Sequence, residues 1–174
     1  MYRMLIVDDE RYVFDEIAQL FDWSEFNIEL IEPARNAQEA LQTLMTTPVD
    51  IIIIDINMPG MNGIDLLREI RGRSMRQHVI VLSGYDDFEY VRTASLLGID
   101  NYFLKPIYKN EMSETILLIL DRIKEEKRAN HDDENRKRIL SENFISLWLN
   151  NGIIPSQLHY KAEVAQINIM SDTY

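Results

Sequence analysis

One stretch of this 174-residue chain decides its fold class: Asp50-Ile51-Ile52-Ile53-Ile54-Asp55-Ile56-Asn57-Met58-Pro59-Gly60-Met61-Asn62-Gly63. Four consecutive isoleucines indicate a strand that is buried on both faces, which is typical of a parallel sheet. The strand is followed by the carboxylate of Asp55 and then by a loop with proline and glycine. Since ligands of open parallel sheets bind at the carboxyl ends of the strands, Asp55 stands where chemistry is expected.

Three other apolar runs also end on polar groups, namely residues 4–7 on Asp8 and Asp9, residues 79–82 on Ser83, and residues 102–104 on Lys105. The strand ends therefore carry an acid pair, an acid, a hydroxyl and an amine in chain order. Each group by itself has a common structural explanation, because aspartate caps helices and lysine is usually a surface residue. Their joint occurrence favours a functional site at one edge of the sheet.

Strand-like and helix-like segments alternate along most of the chain. The strands are predicted at residues 4–7, 27–31, 50–54, 78–82 and 100–104, and the helices near 10–21, 36–46, 63–71, 86–97 and from 108 onward. Such alternation with helix-length connections predicts a parallel sheet that is covered by helices on both faces.

Composition narrows the class of protein. The net charge of −11 and the pI of about 4.7 disfavour direct binding of nucleic acid, since phosphate contacts need clustered lysine and arginine. The absence of cysteine excludes disulfides and thiolate chemistry. Because no apolar run approaches the roughly 20 residues that span a bilayer and no signal peptide precedes the first strand, we expect a cytoplasmic protein without membrane contact.

The C-terminal part differs from the rest in pattern. An apolar stripe in the last helix gives way at residue 124 to an almost entirely polar stretch, and a second apolar segment then ends near Gly152. We predict a domain at 1–125, a helical linker or dimerisation helix at 126–152, and the start of a truncated following region at 153–174. The polar stretch fits a solvated linker about as well as a self-associating helix, because its heptad pattern is interrupted.

The ordered set of motifs resembles the receiver domain of bacterial two-component response regulators over about residues 1–125. The resemblance is carried by Asp8-Asp9, by Asp55 with the Met58–Gly63 loop, by Ser83-Gly84 and by Lys105-Pro106. Within that family, Asp22-Trp23 and the segment from Leu82 to Tyr90 are most similar to regulators with an AraC-type DNA-binding domain. The resemblance implies a flavodoxin-like (CheY-like) doubly wound sheet of five parallel strands in the order 2-1-3-4-5, with an extended C-terminal helix.

The resemblance also implies roles for individual residues. Asp55 would be the phosphoacceptor, and Mg²⁺ would be bound by Asp8, Asp9, Asp55 and the backbone carbonyl of Asn57. Ser83 and Lys105 would bind the phosphoryl oxygens, and Tyr102 would be the aromatic switch residue. Pro59, Gly60 and Gly63 would shape the loop after Asp55, and Pro106 would follow a cis peptide bond.

The function implied is that of a phosphorylation-controlled switch in a phosphorelay, fed by a sensor histidine kinase. It would catalyse only its own phosphorylation and a slow autodephosphorylation, and it is therefore not expected to be a turnover enzyme. The expected output is transcription regulation, with DNA bound only through a region that this chain lacks. A homodimer is expected through the face formed by the fourth helix, fifth strand and fifth helix, or through the C-terminal helix.

Two other functions compete with this interpretation. A Mg²⁺-dependent phosphohydrolase of the haloacid-dehalogenase type also uses an aspartate nucleophile on a parallel sheet. That class requires a second aspartate two residues after the nucleophile, where this chain has Asn57. An inert interaction module is the other possibility, and the complete set of acidic, hydroxyl and amine groups argues against it.

Overall fold

The computed structural model describes the backbone of residues 1–84 and 88–151, and the side chains of the same residues except 130–136 and 139–151. Strands and helices alternate as the sequence predicts. In chain order they are β1 (Tyr2–Val7), α1 (Arg11–Leu20), a 3₁₀ helix (Trp23–Phe26), β2 (Ile28–Leu30), α2 (Ala37–Thr46), β3 (Ile51–Asp55), α3 (Gly63–Gly72), β4 (His78–Ser83), α4 (Phe88–Leu96), β5 (Asn101–Leu104) and α5 (Lys109–Asn151).

The five strands form one parallel sheet in the order β2-β1-β3-β4-β5, which confirms the predicted topology. Strands β1 and β3 are neighbours although β2 lies between them in the sequence. Val7 pairs with Ile54, so the residues that follow these two strands emerge side by side. The strand order therefore brings Asp8 and Asp55 to the same edge of the sheet.

The centre of the sheet forms the core. The side chains of residues 51–54 are fully buried, as are those of Leu5 and Leu82 on the flanking strands. Residues that alternate along β3 face opposite sides of the sheet, and both sides are covered by helices. Burial of the whole isoleucine run confirms the doubly covered strand and gives the end of β3 a fixed position.

Strand β2 is shorter than predicted, at Ile28–Leu30 instead of residues 27–31. The cause is the 3₁₀ helix just before it, which the sequence analysis did not predict. Asp22 accepts a hydrogen bond from the Ser24 N–H at the start of this helix, and Asn27 ends it in the left-handed conformation with φ of 57°. A residue in that conformation cannot continue into a strand, so β2 begins one residue later.

Helix α5 runs without interruption from Lys109 to Asn151, which confirms the extended C-terminal helix. It contains neither proline nor glycine, so its polar stretch offers no local reason for the helix to end.

The chain divides into two compact units, Met1–Leu120 and Asp121–Tyr174. The domain boundaries at 125 and 152 stay predictions, and residues 153–174 lie outside the described part of the chain. Over that part, no helix is both long enough and apolar enough to cross a bilayer.

Candidate functional site

Two buried carboxylates share one lysine at the carboxyl edge of the sheet. Lys105 Nζ lies 2.8 Å from Asp8 Oδ2 and 2.7 Å from Asp55 Oδ1. The side chains of Asp8 and Asp55 are only 2% and 5% exposed, whereas that of Lys105 is 22% exposed. The residue that follows β1, the last residue of β3 and a residue after β5 thus meet at one point, as the strand order requires.

The second oxygen of each carboxylate is held by the backbone two residues further along the chain. The Glu10 N–H donates to Asp8 Oδ1 over 2.9 Å, and the Asn57 N–H donates to Asp55 Oδ2 over 2.6 Å. Both are Asx turns, in which an aspartate side chain accepts from a backbone N–H two residues on. Each carboxylate is therefore oriented from one side by the backbone and from the other by Lys105.

The electrostatics of the site leave negative charge only partly compensated. Burial raises the pKa of the Asp8 carboxyl above its ordinary 3.8, although hydrogen bonds from Lys105 and from the Glu10 N–H act in the opposite direction. Burial also disfavours the Lys105 ammonium, but hydrogen bonds to Asp55 and Asp8 outweigh it and raise the pKa of Lys105 above 10.5. Lys105 is thus firmly charged, and its one positive charge is shared by two carboxylates.

The loop after Asp55 is closed against the end of β3. Ile56 O accepts hydrogen bonds from the Met58 N–H over 3.1 Å and from the Gly63 N–H over 2.9 Å. A Cβ on Gly63 would collide with the backbone carbonyl of Asp55. Gly60 has a φ of 81°, which favours glycine. The local structure therefore explains why glycine occupies positions 60 and 63. Pro59, the third loop residue named from the sequence, is exposed beside them.

The remaining predicted groups lie at the ends of β4 and β5. Ser83 is fully buried at the end of β4, and its carbonyl accepts from the Lys105 N–H over 2.8 Å. Tyr102 lies on β5, is half buried and packs against the main core. The Lys105–Pro106 peptide bond is cis, as expected.

Asp9 differs from the two buried carboxylates of Asp8 and Asp55 in its exposure to solvent. Its side chain is solvent-exposed, and so is that of Asn57. Among the described residues, no three acidic or histidine side chains gather around one point as a metal cluster. The structure thus unites Asp8 and Asp55 through Lys105, and the role of Asp9 in metal binding stays a prediction.

Sequence analysis missed the two backbone N–H groups that orient the carboxylates. A signal was present, because aspartate followed by a turn commonly forms an Asx turn. It also assigned Lys105 only to a phosphoryl group and overlooked its ion pair with Asp8. That pair joins residues 97 positions apart, so it emerges only when the strand order is known.

Comparison with known proteins places this chain in a family. A model described as the response regulator receiver domain matches residues 4–117. The chain therefore belongs to the response regulator receiver family, and it is a receiver domain of a two-component response regulator. Such domains are regulatory rather than catalytic, so the haloacid-dehalogenase alternative is set aside.

Among curated proteins, the transcriptional regulatory protein YesN of Bacillus subtilis is 34% identical over 124 residues, which are 71% of this chain and 34% of YesN. The transcriptional regulatory protein HptR of Staphylococcus aureus is 36% identical over 107 residues, which are 62% of this chain and 42% of HptR. The chain thus spans less than half the length of these two regulators.

Two solved structures have the same fold. The receiver domain of AraT from Geobacillus stearothermophilus is 33% identical, with a TM-score of 0.67 and coverage of 72% of this chain and 98% of that chain. The CheX–CheY–BeF3–Mg²⁺ complex from Borrelia burgdorferi is 25% identical, with a TM-score of 0.61 and coverage of 68% of this chain and 88% of that chain.

Proposed function

We propose that Asp55 is the phosphoacceptor of this receiver domain and that a sensor histidine kinase is the donor. The observation that carries the proposal is the junction of Asp55 with Asp8 and Lys105, at distances of 2.7 and 2.8 Å from one ammonium group. A carboxylate that is buried, oriented and close to a fixed cation has the properties of a nucleophile in phosphoryl transfer.

In the transfer step, one oxygen of Asp55 attacks the phosphorus atom. The new O–P bond forms as the N–P bond of a phosphohistidine breaks, and the departing imidazole nitrogen takes up a proton. Asp55 Oδ1 lies against Lys105, so the ammonium group shifts from this oxygen to a phosphoryl oxygen as transfer proceeds. The Ser83 hydroxyl donates to a second phosphoryl oxygen.

The donor set suits Mg²⁺, because this ion prefers oxygen ligands and usually keeps several waters. The buried carboxylates of Asp8 and Asp55 are incompletely neutralised by Lys105, which is consistent with a divalent cation beside them. Asp8, Asp9, Asp55 and the Asn57 carbonyl would hold the ion. When bound, Mg²⁺ neutralises charge that develops on the phosphoryl oxygens.

Phosphorylation would act as a switch through Ser83 and Tyr102. Movement of the buried Ser83 toward a phosphoryl group would vacate space near the end of β4, and the half-buried Tyr102 ring would rotate into it. The change would bias the face formed by α4, β5 and α5. This face exposes Leu96, Leu104 and Leu118 at 79%, 44% and 63%, which supports its use in homodimerisation.

The proposed output is transcription regulation through a DNA-binding region of the full-length protein. YesN and HptR are named transcriptional regulatory proteins and are both much longer than the matched segment. An AraC-type output, a cytoplasmic location and slow autodephosphorylation belong to the same proposal. The helical region at 126–152 would connect the receiver with this output.

The test is the intact mass of the chain after incubation with acetyl phosphate and Mg²⁺. The native chain should gain one acid-labile phosphoryl group, and it should not gain it without Mg²⁺ or in Asp55→Asn. Asp50→Asn is the control, because Asp50 lies at the opposite end of β3 and accepts from the Arg3 N–H. Equal labelling of the native chain and Asp55→Asn would contradict the proposal. Turnover of the donor without stoichiometric labelling would instead indicate a hydrolase.

A further inference from the structure

A small cavity lies beside the acidic site, between the start of α1 and the segment that joins β2 to α2. Its volume is about 90 Å³. Its charged lining residues are Asp8, Arg11, Glu32 and Arg35. Because Asp8 also contacts Lys105, which contacts Asp55, the cavity adjoins the phosphoacceptor through a single lysine.

The positive charges of the cavity are the guanidinium groups of Arg11 and Arg35. Within the part of the chain that the structure describes, neither the Arg11 nor the Arg35 guanidinium has a hydrogen bond or an ion pair. Four other arginines of the described residues are paired with glutamate or aspartate, namely Arg3, Arg68, Arg73 and Arg92. In a chain with 29 acidic residues, two guanidinium groups on one cavity with no acidic partner are available to an external anion.

The acidic groups of the same cavity do not cancel these arginines. Both oxygens of Asp8 are engaged, one by Lys105 at 2.8 Å and the other by the Glu10 N–H at 2.9 Å. Glu32 is exposed, as are Arg11 and Arg35, so water screens all three charges alike. With Asp8 engaged, two guanidinium groups and one carboxylate remain to face a ligand, so the balance of charge at the mouth of the cavity is positive.

A small phosphodonor faces an electrostatic obstacle at this protein. It is a dianion, the chain carries a net charge of −11, and the site holds two buried carboxylates. A planar guanidinium fork binds phosphate oxygens in a bidentate manner, and clustered charge raises the local concentration of an oppositely charged substrate. The rest of the lining is apolar, from Ile6, Phe14 and Pro33, and suits a short acyl chain.

We propose that this cavity is a docking subsite for small acyl phosphates, with Arg11 and Arg35 binding the phosphate group and the apolar wall facing the acyl group. The inference deepens the proposed function and rests on Asp55 being the phosphoacceptor. Arg11 and Arg35 are then specificity-determining residues, because they act on capture of the donor and not on the transfer step. Donors without an acyl group, such as phosphoramidate, gain less from the subsite.

The kinetic test measures initial rates of labelling by intact mass at increasing acetyl phosphate, with Mg²⁺ and low salt. Arg11→Gln and Arg35→Gln should each raise the half-saturating concentration about fivefold, which is the factor given by an exposed ion pair of about 1 kcal/mol. The maximal rate should not change. Arg76→Gln is the matched control, because Arg76 is an exposed arginine at the opposite end of the sheet. Variants that behave like Arg76→Gln, or that lower only the maximal rate, would overturn the subsite.

A binding test separates the subsite from the chemistry. In Asp55→Asn without Mg²⁺, titration with inorganic phosphate should shift the backbone amide NMR signals of Arg11, Phe14 and Arg35, and the added substitutions Arg11→Gln and Arg35→Gln should abolish the shifts. Shifts that are absent, or that persist in the triple variant, refute the subsite. If the native chain is never labelled but the shifts occur as expected, the phosphoacceptor assignment fails and the anion site stands.

Discussion

Replacement of Lys105 by methionine should expose how much of the stability of the domain depends on one ammonium group. The variant keeps most of the length of the side chain and removes its charge. Asp8 and Asp55 then remain buried without the cation that contacts both. Removal of one partner from a buried ion pair typically costs 3–5 kcal/mol. Because the Lys105 side chain is 22% exposed, we expect the lower end, a loss of about 3 kcal/mol in the free energy of unfolding at pH 7.

The loss should depend on pH in a defined direction. The pKa of Asp8 is already raised by burial, and two of the causes that oppose the rise are the hydrogen bond and the charge of Lys105. Without Lys105 the folded state therefore binds a proton more readily than the unfolded state, whose Asp pKa is near 3.8. A carboxyl that is protonated in the folded state carries no unpaired charge, so the deficit should shrink as the pH falls from 7 toward 4.5.

The assay is urea unfolding without divalent cations, followed by the fluorescence of the buried Trp23 in a Trp148→Phe background. Lys124→Met is the control, because Lys124 is 51% exposed in a surface pair and should contribute no more than about 0.5 kcal/mol. Addition of Mg²⁺ should recover part of the deficit, since a ligand that binds only the folded state stabilises it. A deficit below 1 kcal/mol at pH 7, or an equal deficit at pH 7 and pH 4.5, would refute the reasoning.

Three further predictions concern the supports of the site. Gly63→Ala should lower the free energy of unfolding by about 1–3 kcal/mol, because its Cβ collides with the Asp55 carbonyl, whereas Gly72→Ala has open space and should be neutral or stabilising in the same urea assay. Arg71→Gln should cost about 2–3 kcal/mol, because Arg71 donates to four backbone carbonyls over 2.9–3.1 Å; a loss as small as that of Arg68→Gln would contradict this. On the alkaline side, the stabilisation by Lys105 should be fully present between pH 7 and pH 10.5 and should vanish as the pH rises through its higher folded pKa, so native and Lys105→Met stabilities should converge in alkaline urea titrations and not diverge.

The sequence was sufficient for the sheet because its signals were local and strong. The isoleucine run of β3 predicted a strand buried on both faces, and every residue of it is buried. The start of β2 was misjudged because the left-handed Asn27 depends on how the 3₁₀ helix ends, and hydrophobic periodicity carries no information about that. The polar stretch of α5 has no regular hydrophobic period, yet the helix continues through it because the stretch contains no helix-breaking residue.

The site was predictable in its residues and less so in its contacts. Parallel strands with a known order place Asp8, Asp55, Ser83 and Lys105 at one edge, and the structure has them there. The direction of each side chain depends on the backbone N–H groups nearby and on the conformation of the loops. Sequence patterns do not contain this information, so they could not show that Asp9 is exposed to solvent while Asp8 is buried. Arg71 had no sequence signature, because its acceptors are carbonyls that every residue carries.

The two edges of the sheet differ in how far their charges are compensated, and this difference explains where a switch can operate. At the amino edge, Asp100 faces His78 Nδ1 at 3.0 Å and accepts from the Val79 N–H at 2.9 Å, and Arg71 donates hydrogen bonds to nearby carbonyls. At the carboxyl edge, two buried carboxylates have one ammonium between them. Under the proposed function, the second edge would gain from a cation and would then tolerate a phosphoryl group, so the response to phosphorylation would begin there.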